Sequence, residues 1–330
     1  MQAKIVDLLR RVFGTKQIFE RLELIERKIR TITMTDGVTV ENITANNLEV
    51  MPGTEYSRYA IPLDYPPSRA FAPRYGYSHG KINSLANWFA SYNNYYIEFL
   101  KYMRTLDVSN IPVNLRSDSN LSAAWIGGAI CAFDSMALYA MVQKYKPKVY
   151  LEIGSGMTTC FANQAIKDAK LKTRIVSIDP KPRGEIDAIC DELIRAGLET
   201  YDLAAFDQLE AGDILFFDGS HRSFMNSDVT VFFIDVLPRI KPGVIVHIHD
   251  IMLPWDYPDS FKYWYWNEQY LLAVYLMCSL DNLIPLLPTT WICRSPEFEP
   301  HFTNPFVNLG SDVANLSWRG GGSMWFTKKQ

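Results

Sequence analysis

The stretch VIVHIHDIMLPWDYP (244–258) sets His247 and His249 in alternation with Val246 and Ile248 and closes on Asp250. Imidazole is the side chain whose ordinary pKa suits proton transfer at neutral pH, and a neighbouring carboxylate can orient its ring. A second such grouping is FFDGSHRS (216–223), which carries Asp218 and His221. His249 and His221 are therefore the candidate general bases, with Asp218 or Asp250 orienting the imidazole. His247 points to the same side of its strand one pleat deeper and reads as a hydrogen-bonded core histidine. His221 reads equally well as an ordinary polar residue of a surface loop. Asp250 alone could be a helix cap, but Asp218 at the adjacent strand end speaks for a shared site.

A different chemistry is written in LEIGSGMTT (151–159). Gly154 and Gly156 let the backbone turn tightly beside a ligand, with Ser155 between them and Thr158 opening a helix whose N-terminus faces that ligand. A dinucleotide fingerprint would place a third glycine at 159, where Thr159 stands. Glu152 instead gives the order acid-x-Gly-x-Gly, and a carboxylate there suits a cationic ligand better than a pyrophosphate. Asp179, closing the next strand, can bind a ribose diol through two hydroxyls. Asp202, in LETYDLAAF, lies where a purine edge could be read. Three acids closing three successive strands are far more specific than any one of them.

The elements that must position these groups are legible from Leu121 onward. Apolar strands KVYLEI (148–153), RIVSID (174–179), DILFFD (213–218) and GVIVHIHD (243–250) alternate with helical stretches at 157–170, 185–196 and 223–240. TTWICR (289–294) and GSMWFTK (322–328) can supply two late strands. Strand-helix alternation of this kind implies an α/β fold with a doubly wound parallel sheet of about seven strands. Ligands of such sheets bind at the carboxyl ends of the strands, where Asp218, His249 and Asp250 fall.

Residues 1–50 read as an appendage. Ile18, Leu22, Ile25, Ile29 and Ile32 follow a heptad seam, and Asp36–Gly37 marks a hairpin turn in a Thr- and Val-rich segment. The seam is too short to stand alone in water, which favours a subunit-joining helix and hence a homo-oligomer. Residues 51–120 form a Pro- and Tyr-rich cap followed by a helix over 83–105, and 121–330 form the main domain. A net charge of −3 argues against nucleic acid as a partner. The five cysteines are scattered with no CxxC spacing, as suits a reducing compartment. With no secretory signal and no apolar run long enough to span a membrane, the expectation is a soluble, cytoplasmic protein.

Over roughly residues 121–330 the chain resembles class I S-adenosylmethionine-dependent methyltransferases. The subgroup it resembles includes macrocin O-methyltransferase and cephalosporin-hydroxylase-like proteins. The marks are FFDGSHRS, PGVIVHIHDI (242–251), WNEQYLL (266–272) and GGSMWF (321–326). The resemblance implies a Rossmann-like methyltransferase sheet with S-adenosylmethionine as cofactor. Glu152, Gly154 and Gly156 would cradle its methionine portion, Asp179 its ribose, and Asp202 its adenine. Metal-dependent relatives ligate Mg²⁺ with acids matching Asp218 and positions 249 and 250. An imidazole at His249 argues against that ion or for a softer divalent one, so metal-free base catalysis is the favoured expectation.

The reading is an O-methyltransferase acting on a hydroxyl of a sugar or other small polyhydroxylated acceptor. Trp255 and Tyr257 are expected on the substrate side, in an aromatic lid over MLPWDYPDSFKYWYWNEQY (252–270). Two other classes compete with it. A non-catalytic oligomeric binding protein on this fold is disfavoured by the intact Glu152, Gly154, Gly156 and Asp179. A nicotinamide-dependent oxidoreductase is disfavoured by Thr159 and by the acid before the glycines.

Overall fold

Buried on both faces, the central strands need apolar side chains at nearly every position, which is why they read so clearly. The computed structural model describes residues 74–76, 80–114, 122–126, 130–182, 185–261, 264–302 and 320–329. The heptad seam and hairpin expected within 1–50 lie outside them. Helices α1 (Asn83–Ala90), α2 (Asn93–Met103) and α3 (Ala132–Tyr145) precede the sheet. Then come β1 (Val149–Ile153), α4 (Met157–Asp168), β2 (Arg174–Ile178), β3 (Glu192–Ile194) and β4 (Ile214–Phe217). Helix α5 starts at Asp228–Val231 and runs through a π-helical turn, Phe232–Val236, to Leu237–Arg239. The chain continues with β5 (Ile245–His249), α6 (Glu268–Ser279), β6 (Leu283–Pro288), α7 (Thr289–Arg294) and β7 (Ser323–Lys328).

The described strands form one seven-stranded sheet in the order β3-β2-β1-β4-β5-β7-β6. The first five are parallel, and β7 runs antiparallel to both β5 and β6. Strands β4 and β5 are buried at every residue and β1 at all but its first. Strand order reverses between β1 and β4, which opens a crevice at their carboxyl ends.

Three expectations about elements need correction. The stretch 185–196 is not a helix but a 3₁₀ turn, Asp187–Ile189, followed by edge strand β3. Three residues are too few to display a period of two. TTWICR is helix α7, and the strand is the preceding LIPLLP, whose prolines disguise it. Those prolines are tolerated because β6 is an edge strand with a register shift between Pro285 and Leu287. The single helix over 83–105 is two, α1 and α2, parted at Ser91 and Tyr92.

Helices α1 and α2 do not form a cap separate from the sheet. Phe89 meets Trp291 with ring centroids 6.2 Å apart, and Tyr96 meets Phe298 at 6.2 Å. Their buried residues join the core that encloses the strands, within one compact unit spanning 72–330. Among the described residues no helix is long and apolar enough to cross a membrane.

Candidate active site

The glycine loop is fixed against the end of β4. Gly154 holds φ at +82°, and a Cβ there would lie 2.0 Å from the Asp218 carbonyl oxygen, so only glycine fits. A Cβ at Gly156 would meet nothing within 4 Å, because that residue opens into a cavity. The Gly156 N–H donates to Thr159 Oγ1 (3.1 Å), and that hydroxyl donates to Glu152 Oε1 (2.5 Å). This explains the missing third glycine: Thr159 ties the loop to Glu152. Glu152, expected to cradle the ligand itself, is fully buried beneath the loop and does not line the cavity. Burial pushes its pKa up to about 8.

The cavity has a volume of about 760 Å³, within the range of small-molecule sites. Gly154, Ser155, Gly156, Thr158 and Asp179 line one wall. Asp179 Oδ2 accepts the Ser155 N–H (2.8 Å) and Oδ1 the Lys181 N–H (2.7 Å), which fixes the carboxylate at the mouth. Asp202 is not there. It is exposed and caps the 3₁₀ turn Leu203–Gln208, accepting from Ala204 N at 3.0 Å. Because β3 ends at Ile194, the following loop brings Gly197, Leu198 and Glu199 to the wall instead. With β3 unrecognised, Glu199 could not be found from the sequence.

Asp218 and His249 close the inner end of the cavity. His249 is buried, with Nδ1 3.5 Å from Asp250 and 4.0 Å from Asp218, and Nε2 3.7 Å from Asp134. Burial opposes a charge on the ring, but Asp250, Asp218 and Asp134 outweigh it and raise its pKa to about 10. Asp134, fully buried at the start of α3, is raised by burial in turn. We assign the charge to His249, since two further carboxylates with solvent contact face it.

His221 is not a surface residue. It is 7% exposed, and its Nδ1 lies 2.6 Å from Oε1 of the fully buried Glu268. Its Nε2 lies 3.7 Å from Asp218 and 3.6 Å from Asp250. Burial opposes charge here too, but Glu268, then Asp218 and Asp250, raise the pKa of the ring. Burial draws Glu268 up to about 7 against the pull of His221. His221 (φ 64°) and Asp250 (φ 54°) both adopt the left-handed conformation, a strain that collects at functional sites. The candidate ligand set for an ion also changes. Asp218, His221 and Asp250 present ligand atoms all within 4.8 Å of one another, and His221 takes the place expected of His249.

His247 is a core residue, but not a hydrogen-bonded one. Its ring stacks on Trp325 at 3.7 Å and meets Phe216 at 4.6 Å, and neither nitrogen has a hydrogen-bond partner among the described residues. Trp255 stacks on Trp291 (6.0 Å) and does not line the cavity. Tyr257 packs among Phe261, Trp266 and Tyr270, also outside it. The Trp266 ring lies 3.9 Å from that of His221, and Tyr257 is close enough to Glu268 and Asp250 to feel their charges. Of the residues missed, Glu268 left a trace, as an acid opening an otherwise apolar helix. Trp266 lay in the aromatic run 252–270 and opened WNEQYLL, while Asp134 left no trace.

Residues 151–251, from β1 to just past β5, match a family described as "Methyltransferase domain". No curated protein matches the chain. Among solved structures, the O-methyltransferase TomG from Streptomyces achromogenes, in complex with SAM, is 14% identical with a TM-score of 0.37. The match covers 61% of this chain and 82% of that one. An O-methyltransferase from Bacillus cereus in complex with SAH is 11% identical, with a TM-score of 0.33, over 71% and 90% of the two chains.

Proposed function

We propose, since residues 151–251 match a family described as a methyltransferase domain, that the protein transfers a methyl group from S-adenosylmethionine to an acceptor hydroxyl. The observation that carries this reading is one cavity lined both by the Gly154–Gly156 loop and Asp179 and by Asp218, whose carboxylate stands 3.7 Å from His221. The residues fit the donor. Gly156 leaves open space beside the loop, Asp179 offers a fixed carboxylate to a diol, and Glu199 offers an acceptor to an exocyclic amine. When bound, S-adenosylmethionine supplies an electrophilic methyl group on a sulfonium. The chain must bring a hydroxyl to it and accept that hydroxyl's proton.

His221 is the base of this reading, in place of His249. Three carboxylates face His249 and favour its charged form, so it serves better as a cation among them than as the base. His221 has one nitrogen committed to Glu268 and the other facing the carboxylates of Asp218 and Asp250. As the hydroxyl oxygen bonds to the methyl carbon and the carbon–sulfur bond breaks to leave a neutral thioether, the released hydroxyl proton would pass to His221 Nε2. Asp218 and Asp250 can accept from hydroxyls, and the Trp266 ring lies beside them against His221, which supports a sugar or other small polyhydroxylated acceptor.

S-adenosylhomocysteine is expected to bind at micromolar strength in calorimetry, and NAD is not. Asp179→Ala removes a charged hydrogen-bond acceptor, costing about 1.5–3 kcal/mol, or roughly 10- to 150-fold in affinity. Unchanged affinity in that variant would sink the donor assignment, and NAD binding in its place would point to the oxidoreductase.

A second reading is favoured by the proximity of Asp218, His221 and Asp250, which would suit a divalent cation. Two carboxylates and an imidazole fit a softer ion better than Mg²⁺. A chelator should then abolish turnover, with a transition metal restoring it better than Mg²⁺. Full turnover in chelator leaves the base reading alone.

A further inference from the structure

We propose that Trp266, Asn267 and Glu268 act as a clip that fixes the orientation and tautomer of the His221 ring, with Glu268 as a positioning residue. The inference rests on the His221 reading above and adds what prepares that ring.

Each residue of the tripeptide grips the His221 loop in its own way. The Trp266 ring lies against the imidazole, 3.9 Å between centroids and 30° between planes. The Asn267 N–H donates to the His221 carbonyl (2.9 Å), and its side-chain oxygen accepts from Ser223 N (2.7 Å). Glu268 Oε1 lies 2.6 Å from Nδ1. The backbone bonds hold His221 at a φ of 64°, which an L-residue adopts only when its surroundings fix it. Stacking sets the ring plane, and the Glu268 bond sets its rotation.

An ionised Glu268 can only accept a hydrogen bond, so a neutral His221 beside it must carry its proton on Nδ1. Nε2 is then a bare lone pair. It stands 3.6 and 3.7 Å from the carboxylates of Asp250 and Asp218, beyond hydrogen-bond distance, and both are themselves acceptors. Without Glu268 the other tautomer would be favoured, with Nε2–H pointing at two carboxylates and unable to accept anything. The clip thus selects the tautomer that the neighbouring acids would reject.

The test is a two-bond ¹H–¹⁵N spectrum of the full chain labelled at histidine, recorded at about pH 9 and assigned with His221→Asn. In the native chain, His221 should show a protonated Nδ1 and a bare Nε2. An amide at 268 can donate as well as accept, so Glu268→Gln should shift His221 toward the Nε2–H form. Calorimetry with S-adenosylhomocysteine should give the same affinity for both chains, because Glu268 lies outside the cavity. A native spectrum with the proton on Nε2 would overturn the proposal, as would a Glu268→Gln spectrum identical to the native one. Absent S-adenosylhomocysteine binding would instead fell the methyltransferase reading and leave the tautomer result standing.

Discussion

His221→Ala is expected to lower turnover about 10²- to 10⁴-fold, the usual share of general base catalysis. Affinity for S-adenosylhomocysteine should stay at the native value, because His221 does not line the cavity that the glycine loop opens. The loss should fall on kcat more than on KM, since the proton moves only as the new bond forms. His249→Ala serves as the contrast. Removing that ring leaves Asp134 buried beside no cation, and breaking a buried pair typically costs about 3–5 kcal/mol. Its defect should therefore appear first in a thermal melt. Native turnover in His221→Ala, with a fold intact by the same melt, would return the proton to another acceptor.

The second large effect is expected at Gly154→Ala. A methyl group there would lie 2.0 Å from the Asp218 carbonyl oxygen, and φ at +82° penalises any Cβ. The left-handed conformation alone costs about 1–2 kcal/mol. The contact is backbone against backbone, with no flexible side chain to yield. The end of β4 must move, and total destabilisation of about 4 kcal/mol or more is expected. Since that end carries Asp218, donor binding and turnover should fall together. Urea unfolding and calorimetry on one preparation would show it. A variant within 1 kcal/mol of native that still binds S-adenosylhomocysteine would mean the loop and β4 are not so closely joined.

How much of this was legible follows from what a pattern can carry. The four long parallel strands were readable because burial on both faces demands continuous apolar runs, as in ILFF of β4. Strand β3 was lost to its brevity and β6 to its prolines, and the loss of β3 sent the adenine-side acid to Asp202 instead of Glu199. The glycine loop was readable because turn chemistry is local. Glu152 was misplaced because its partner, Thr159, sits on the next helix, and only the folded chain shows the bond between them. The same holds for His221 and Glu268. Each lay in a visible motif, FFDGSHRS and WNEQYLL, but nothing in either announces that the two meet.

The position of β7 carries a consequence for the order of assembly. It lies between β5 and β6, and Gly322, just before it, donates to Asp134 (2.8 Å) while its carbonyl accepts from Ile251 (2.8 Å). Asp134 in turn faces His249. During synthesis the glycine loop, Asp179 and the carboxyl ends of β4 and β5 emerge well before this brace, and β5 keeps an unpaired edge until β7 arrives. A nascent chain could thus hold the donor side of the cavity while the acidic end remains unsupported. Competence for the reaction would come late, with the insertion of one antiparallel strand. The interval before it is when the exposed edge of β5 would most need shielding.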